Sequence, residues 1–180
     1  MSGPSVWCVA DGRAGILNQT KALAAALAEP ERAAKLAHIC SQTSSRPDPQ
    51  TRTDLKTKDV ILQPQGLQLM LRPDLWPMPL SALPDEQRKL LSPPWPDVWI
   101  AAGRRSIPYS RLMRKLSGGN TLIVQTQDPK VSLTSFDLVI PPEHDAVTGA
   151  NVFPILGSPV WFSQERIAGA QMQFAHLPQA

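Results

Sequence analysis

The residues of this chain that could do chemistry collect just behind its apolar runs. Asp11-Gly12-Arg13-Ala14-Gly15 follows Ser5–Ala10, and Gly103-Arg104-Arg105-Ser106 follows Asp97–Ala102. Gln127, Asp128 and Lys130 follow Thr121–Thr126, and Glu143-His144-Asp145 follows Phe136–Ile140. Gly12 and Gly15 let backbone come close to a ligand, and the free N–H groups of a following helix favour an anion. Asn18 and Gln19 fall at the start of that helix. Two guanidiniums beside a helix N-terminus oppose the helix dipole unless an anion or carboxylate offsets them. Arg104 and Arg105 therefore read either as an anion or phosphate site or as ion-pair partners of Asp128 or Asp145. His144 and Asp145 are the candidates for general acid–base work. Their spacing with Glu143 lacks the i, i+4 pattern of a helical metal site, so no metal is expected. The glycine loop is neither G-x-G-x-x-G nor a P-loop, and the chain has no G-x-S-x-G and no C-x-x-C, so no cofactor is expected either.

Strands and helices must bring these loops to one edge. Ser5–Ala10 reads as a strand closed by Asp11-Gly12, and Ile16–Ala28 as a helix with Ile16, Leu23 and Leu27 on its apolar face and Pro30 at its end. Lys35–Cys40 is the candidate second strand. Residues 41–59 are polar and basic without periodicity and read as an irregular insertion. Residues 64–96 form a second one, whose prolines leave room for short helices only and whose Trp76 and Met78 are expected to cover the core. The second half is more regular: a strand at Asp97–Ala102, then a helix over Ser106–Leu116 with Ser106 as N-cap and Pro108 in its first turn. Gly118-Gly119 supplies a left-handed C-cap. Strands follow at Thr121–Thr126, Phe136–Ile140 and Asn151–Leu156, and Ser163 caps a last helix reaching about Ala175. This alternation predicts an α/β fold, Rossmann-like and doubly wound, with a mostly parallel sheet, helices on both faces and one domain over 1–180. In such sheets ligands bind outside the carboxyl ends of the strands.

Composition narrows the classes. The chain has 180 residues, 42% hydrophobic and 18% charged, as a globular domain does, and its net charge of +3 is too weak to indicate nucleic-acid binding. No apolar run approaches the roughly 18 residues of a membrane span. No basic segment precedes Val6-Trp7-Cys8-Val9 as in a secretory leader, so a cytoplasmic protein is expected. Cys8 and Cys40 each lie in an apolar stretch and read as reduced, buried thiols. The five tryptophans are expected in the core, Trp161 the most exposed.

Five segments in register carry a resemblance: Trp7–Gln19 (WCVADGRAGILNQ), Pro96–Ser106 (PDVWIAAGRRS), Gln125 with Asp128-Pro129-Lys130, Phe136–Asp145 (FDLVIPPEHD) and Gly149-Ala150-Asn151-Val152. Together they resemble the mitochondrial-fission "elongated mitochondria" family of bacteria and plants, weakly between about Lys35 and Pro94. That family is similar to GT-B glycosyltransferases, in which two Rossmann-like domains face a cleft, the N-terminal one holding the acceptor and the C-terminal one the nucleotide sugar. The chain resembles the N-terminal half and supplies no second set of strands. The resemblance implies an acceptor-side domain, not catalytically complete alone, that takes a sugar- or phosphate-containing small molecule. Asp11, Arg13, Gln19, Arg104 and Arg105 would line its cleft, with Gln125, Asp128 and Asn151 among the matching positions. Lys130 departs from the arginine expected after Asp-Pro, and Val160-Trp161 from a common His-Arg pair. Two alternatives stand: a protein-interaction module using Leu75–Trp95, as when plant members recruit the division dynamin, and a truncated, inactive paralogue.

Overall fold

A computed structural model of the chain describes residues 3–29, 31–32, 55–160 and 164–173, with side chains described from 167 onward in the last of these ranges. Strand β1 (Ser5–Ala10) leads into helix α1 (Ala14–Leu27), and β2 is Lys56–Ile61. Short 3-10 turns at Leu67–Met70, Pro73–Leu75 and Pro79–Ala82 precede α2 (Asp85–Leu90) and β3 (Val98–Ala102). A 3-10 turn at Arg104–Ser106 opens onto α3 (Ile107–Leu116), followed by β4 (Leu122–Thr126), β5 (Leu138–Ile140) and α4 (Gln164–Gln173). The strands form a five-stranded sheet in the order β2-β1-β3-β4-β5. All four pairings are parallel. This is the expected α/β, Rossmann-like sheet, and the order turns back at β1, where β2 lies on one side and β3 on the other.

Alternation along the strands sorts the core between two faces. On one face Trp7, Val9, Trp99, Ala101, Ile123 and Val139 meet Tyr109 and Met113 of α3. The other face pairs Val6, Cys8, Val98, Ile100 and Val124 with Ala24, Leu23 and Leu27 of α1. Two polar groups on the first face bond internally: the Trp99 indole N–H donates to Ser110 Oγ at 2.9 Å, and the Tyr109 hydroxyl to the Pro79 carbonyl at 3.2 Å. Cys8 is buried, with burial pushing its thiol up to about 11, as befits an inert core residue. Trp7, Trp76 and Trp99 are buried as expected. Cys40 and Trp161 lie outside the described residues.

Several expectations need correction. Lys35–Cys40 lies outside the described residues, and the strand beside β1 is Lys56–Ile61, which overlaps the stretch read as irregular. Its charges hide the pattern because β2 is an edge strand, where charged side chains are tolerated and useful. Lys58 lays its ammonium 4.0 Å from the Trp7 ring centroid, and Lys21 pairs with Asp59 at 2.6 Å. Met78 faces solvent, while Trp76 alone of that pair turns inward. Asn151–Leu156 forms isolated parallel bridges, Val152 to Val139 and Ile155 to Pro142, and not a strand. Ser106 does not cap α3 through its side chain: it has αR geometry, and its Oγ donates to the Gly103 carbonyl at 2.7 Å. The C-terminal cap is as read. Gly118 N–H reaches the Lys115 carbonyl and Gly119 N–H the Arg114 carbonyl, with φ of +61° and +82°, a Schellman motif. The proposed Ser163 cap lies outside the described residues.

Candidate site at the carboxyl edge of the sheet

The loops after β1 and β3 meet directly. Asp11 directly follows β1 with its carboxylate buried, and Arg13 folds back on it: Nε lies 3.0 Å from both oxygens and Nη2 2.6 Å from Oδ2. Burial alone would raise the Asp11 carboxyl. The hydrogen bonds and charge of Arg13, with Arg105 further off, outweigh it and hold Asp11 below its ordinary value. The same contact raises the Arg13 guanidinium. Gly103 lies over this pair with φ +82°, and a Cβ there would sit 3.5 Å from Ile16 Cγ2, 3.6 Å from Arg13 Nη2 and 3.8 Å from Asp11 Oδ2. Those are ordinary contacts, so φ is what favours glycine at 103, whereas at Gly12, φ +89°, a Cβ would also collide with the Gln63 side-chain amide. Gly15 differs: it lies in the first turn of α1 with open space around it.

No side chain caps α1, whose Ncap is Arg13. Asn18 sits half-buried in its second turn. Gln19 links α1 to the end of β4, accepting from Thr126 Oγ1 at 3.2 Å. Gln125 belongs to the opposite face of the sheet, buried beside α3. Its Nε2 donates to the Thr126 carbonyl at 3.2 Å, and its Oε1 is buried without a partner. Arg104 and Arg105 are exposed on the turn that opens α3. Neither makes an ion pair among the described residues, which removes the pairing with Asp128 or Asp145 as their explanation: Asp128 is taken by Lys130 at 2.6 Å, and Asp145 lies against His144.

The loops after β4 and β5 form a second cluster. The Asp128 N–H donates to Asp145 Oδ2 at 3.2 Å, and Asp128 Oδ1 accepts from the Lys130 N–H at 2.8 Å. Burial would raise the Asp128 carboxyl, but Lys130 outweighs it and lowers it. His144 is exposed, its Nε2 3.6 Å from Asp145 Oδ1. Asn151 stands apart from both clusters. Its Nδ2 donates to the carbonyls of Leu133 and Phe136, at 3.0 and 2.9 Å, on the side from which β5 enters the sheet. The structure thus gathers Asp11, Gly12, Arg13, Gly103, Arg104 and Arg105 in one cluster and Asp128, His144 and Asp145 in another, while Gln19 bonds Thr126 at the end of β4.

Two residues of this edge, Thr126 and Gln63, are not among the candidates named from the sequence. Thr126 was legible in the alternation of β4, which turns Leu122, Val124 and Thr126 towards α1 and odd positions away. Gln63 had no signal, because the strand that delivers it was hidden by its charges. Among the described residues no group of three or more His, Cys, Asp or Glu is placed to hold a metal ion.

The chain aligns with the mitochondrial fission protein ELM1 of Arabidopsis thaliana, 42% identical over 50 residues, which are 28% of this chain and 12% of that relative. The aligned stretch is thus a small part of the plant protein's length. No solved structure matches. No helix among the described residues is long and apolar enough to cross a membrane. A much longer match, over residues 14–180, is to the family described as mitochondrial fission ELM1. On that match, which starts one residue past Arg13 and takes in every later loop of the edge, the chain belongs to the mitochondrial fission ELM1 family.

Proposed function

We propose that this domain is the acceptor-side half of a GT-B-like, glycosyltransferase-related binding site in the cytoplasm, and that it takes a sugar- or phosphate-bearing small molecule at the carboxyl edge of the sheet. One observation carries the reading. Arg104 and Arg105 stand exposed at the opening of α3 with no ion pair among the described residues, beside a carboxylate already satisfied by Arg13. Two unpaired guanidiniums at the positive end of a helix are a local excess of charge that an anion relieves. The other wall of the cleft, with the nucleotide-sugar donor, would come from a second domain, so this half alone would not complete a transfer reaction. His144 and Asp145 remain the candidates for acid–base work on this edge.

Calorimetric titration of the 180-residue chain with inorganic phosphate, a sugar phosphate, and UDP- and GDP-sugars tests the division of labour. Weak binding of the phosphate compounds, lost in Arg104→Gln/Arg105→Gln, is expected. Tight binding of a nucleotide sugar by this chain alone would contradict the assignment of the donor to another domain.

A further inference from the structure

We infer, on the basis of the anion site proposed at Arg104 and Arg105, that Gln63 reads the hydroxyls of the same ligand and that this edge takes a phosphorylated monosaccharide. Strand register sets the positions. Ala10 stands beside Ile61 and Val9 beside Ala101. Counting on from those pairs puts Gln63, Gly12 and Arg104 level with one another, just past the carboxyl ends of β2, β1 and β3. The contacts keep that order. The Gln63 amide occupies the space that a Cβ of Gly12 would need, and Gly103 stays beside Asp11 and Arg13. Glycine at 12 thus lets the amide lean in over β1, towards the strand that carries the two guanidiniums.

The backbone beneath this amide is fixed. Leu62 N–H donates to the Ala10 carbonyl at 2.8 Å, Gln63 N–H to Gln87 Oε1 at 2.6 Å, and Gln65 N–H to the Ala82 carbonyl at 2.7 Å. Leu62 and Pro64 are buried on either side, while the Gln63 side chain is exposed and its amide makes no hydrogen bond among the described residues. β2 and β3 lie two strand spacings apart, about 9–10 Å. A phosphate held by the guanidiniums at β3 therefore leaves the amide free for whatever the phosphate carries. That amide offers both a donor and an acceptor, which hydroxyl groups match on both counts and a second anion does not. A nucleobase would match it too, but bases are held largely by stacking on aromatic rings. Residues 11–15, 62–66 and 103–106 include no aromatic residue, which favours a hydroxylated ring.

Calorimetric titration of the 180-residue chain with orthophosphate, glucose 6-phosphate, ribose 5-phosphate and UMP tests this. At least one sugar phosphate should bind about tenfold tighter than orthophosphate, the gain expected from two added hydrogen bonds. Gln63→Leu should remove that gain and leave orthophosphate binding within about twofold. The side chain is exposed and the backbone bonds remain, so the thermal melt of the variant should match the parent. Equal affinity for sugar phosphates and orthophosphate, or a preference that survives Gln63→Leu, would overturn the inference. So would UMP binding tighter than both sugar phosphates, which would assign the amide to a base, or a loss of orthophosphate binding in Gln63→Leu as large as the loss of sugar phosphate. Absence of binding by all four compounds would overturn the anion site and this inference together. Orthophosphate binding that depends on Arg104 and Arg105 but shows no sugar preference would overturn this inference alone.

Discussion

The two halves of the carboxyl edge are built from the same residue types with opposite charge balance. Beside β1 and β3, the guanidiniums of Arg13, Arg104 and Arg105 face the single carboxylate of Asp11. Beside β4 and β5, the carboxylates of Asp128, Glu143 and Asp145 face the single ammonium of Lys130. The first half makes its turns with glycine at positive φ, Gly12 and Gly103. The second forces ordinary residues there: Gln127 at φ 66°, Lys130 at 54° and Ala146 at 51°. The difference teaches where a ligand has something to gain. In the first half the carboxylate is satisfied and cations are left over. In the second, Asp128 and Asp145 already bind backbone N–H groups and Lys130, so the loops hold each other.

The largest expected contrast is in anion binding. Arg104→Gln/Arg105→Gln should weaken phosphate binding by roughly tenfold or more, at about 1.5–3 kcal/mol for each charged hydrogen bond lost. Lys130→Gln should change it by less than about twofold; a comparable loss there would erase the distinction between the halves. Calorimetric titration reads both variants.

Next comes the backbone. Gly103→Ala should destabilise the fold by about 1–3 kcal/mol, because φ +82° disfavours any side chain. Gly15→Ala should stabilise by about 0.5–1 kcal/mol, since that glycine sits in a helix with open space around it. Urea denaturation would give the two shifts opposite signs.

The two depressed carboxyls sharpen the comparison by pH and salt. Asp11 and Asp128 both fall below the ordinary 3.8 in the folded state. Each contributes stability that is fully present above that value and lost as pH falls through the folded one. Asp11→Asn should therefore be less stable than the parent at neutral pH, with the gap closing in acid. Asp128→Asn should behave alike but more weakly, and its gap should shrink in high salt because Lys130 is fully exposed. The Asp11 gap should persist, as its carboxylate is buried. Denaturation curves at several pH and salt values decide.

The smallest effect belongs to the strained turns. Gln127→Gly should stabilise by up to about 1 kcal/mol by relieving φ 66°, visible as a small rise in the denaturation midpoint.

Much of this molecule was legible from the sequence where burial is two-sided. β1, β3 and β4 are near-continuous apolar runs that end in glycine or polar residues, so the sequence alone assigns their loops to one edge. The Gly118-Gly119 cap was equally plain. β2 was not, because an edge strand carries lysine and aspartate and lacks apolar alternation until Val60. Asn151 misled for a related reason: a polar residue near a strand end reads as a site residue until its amide is seen bonded to the Leu133 and Phe136 carbonyls.

The sequence by itself determined the parallel α/β sheet, the edge at which its polar loops emerge and the membership of Arg104 and Arg105 in that edge, since apolar run lengths and loop chemistry are local properties. Only the tertiary structure decided which of those charges are already spent. Asp11 is matched to Arg13, Asp128 to Lys130 and Gln19 to Thr126, while Arg104 and Arg105 are left over. The two ion pairs are local, i to i+2, but the Gln19–Thr126 bond joins residues 107 apart. Whether any other strand end brings a carboxylate to Arg104 and Arg105 is set by the packing of distant segments, which no local pattern encodes.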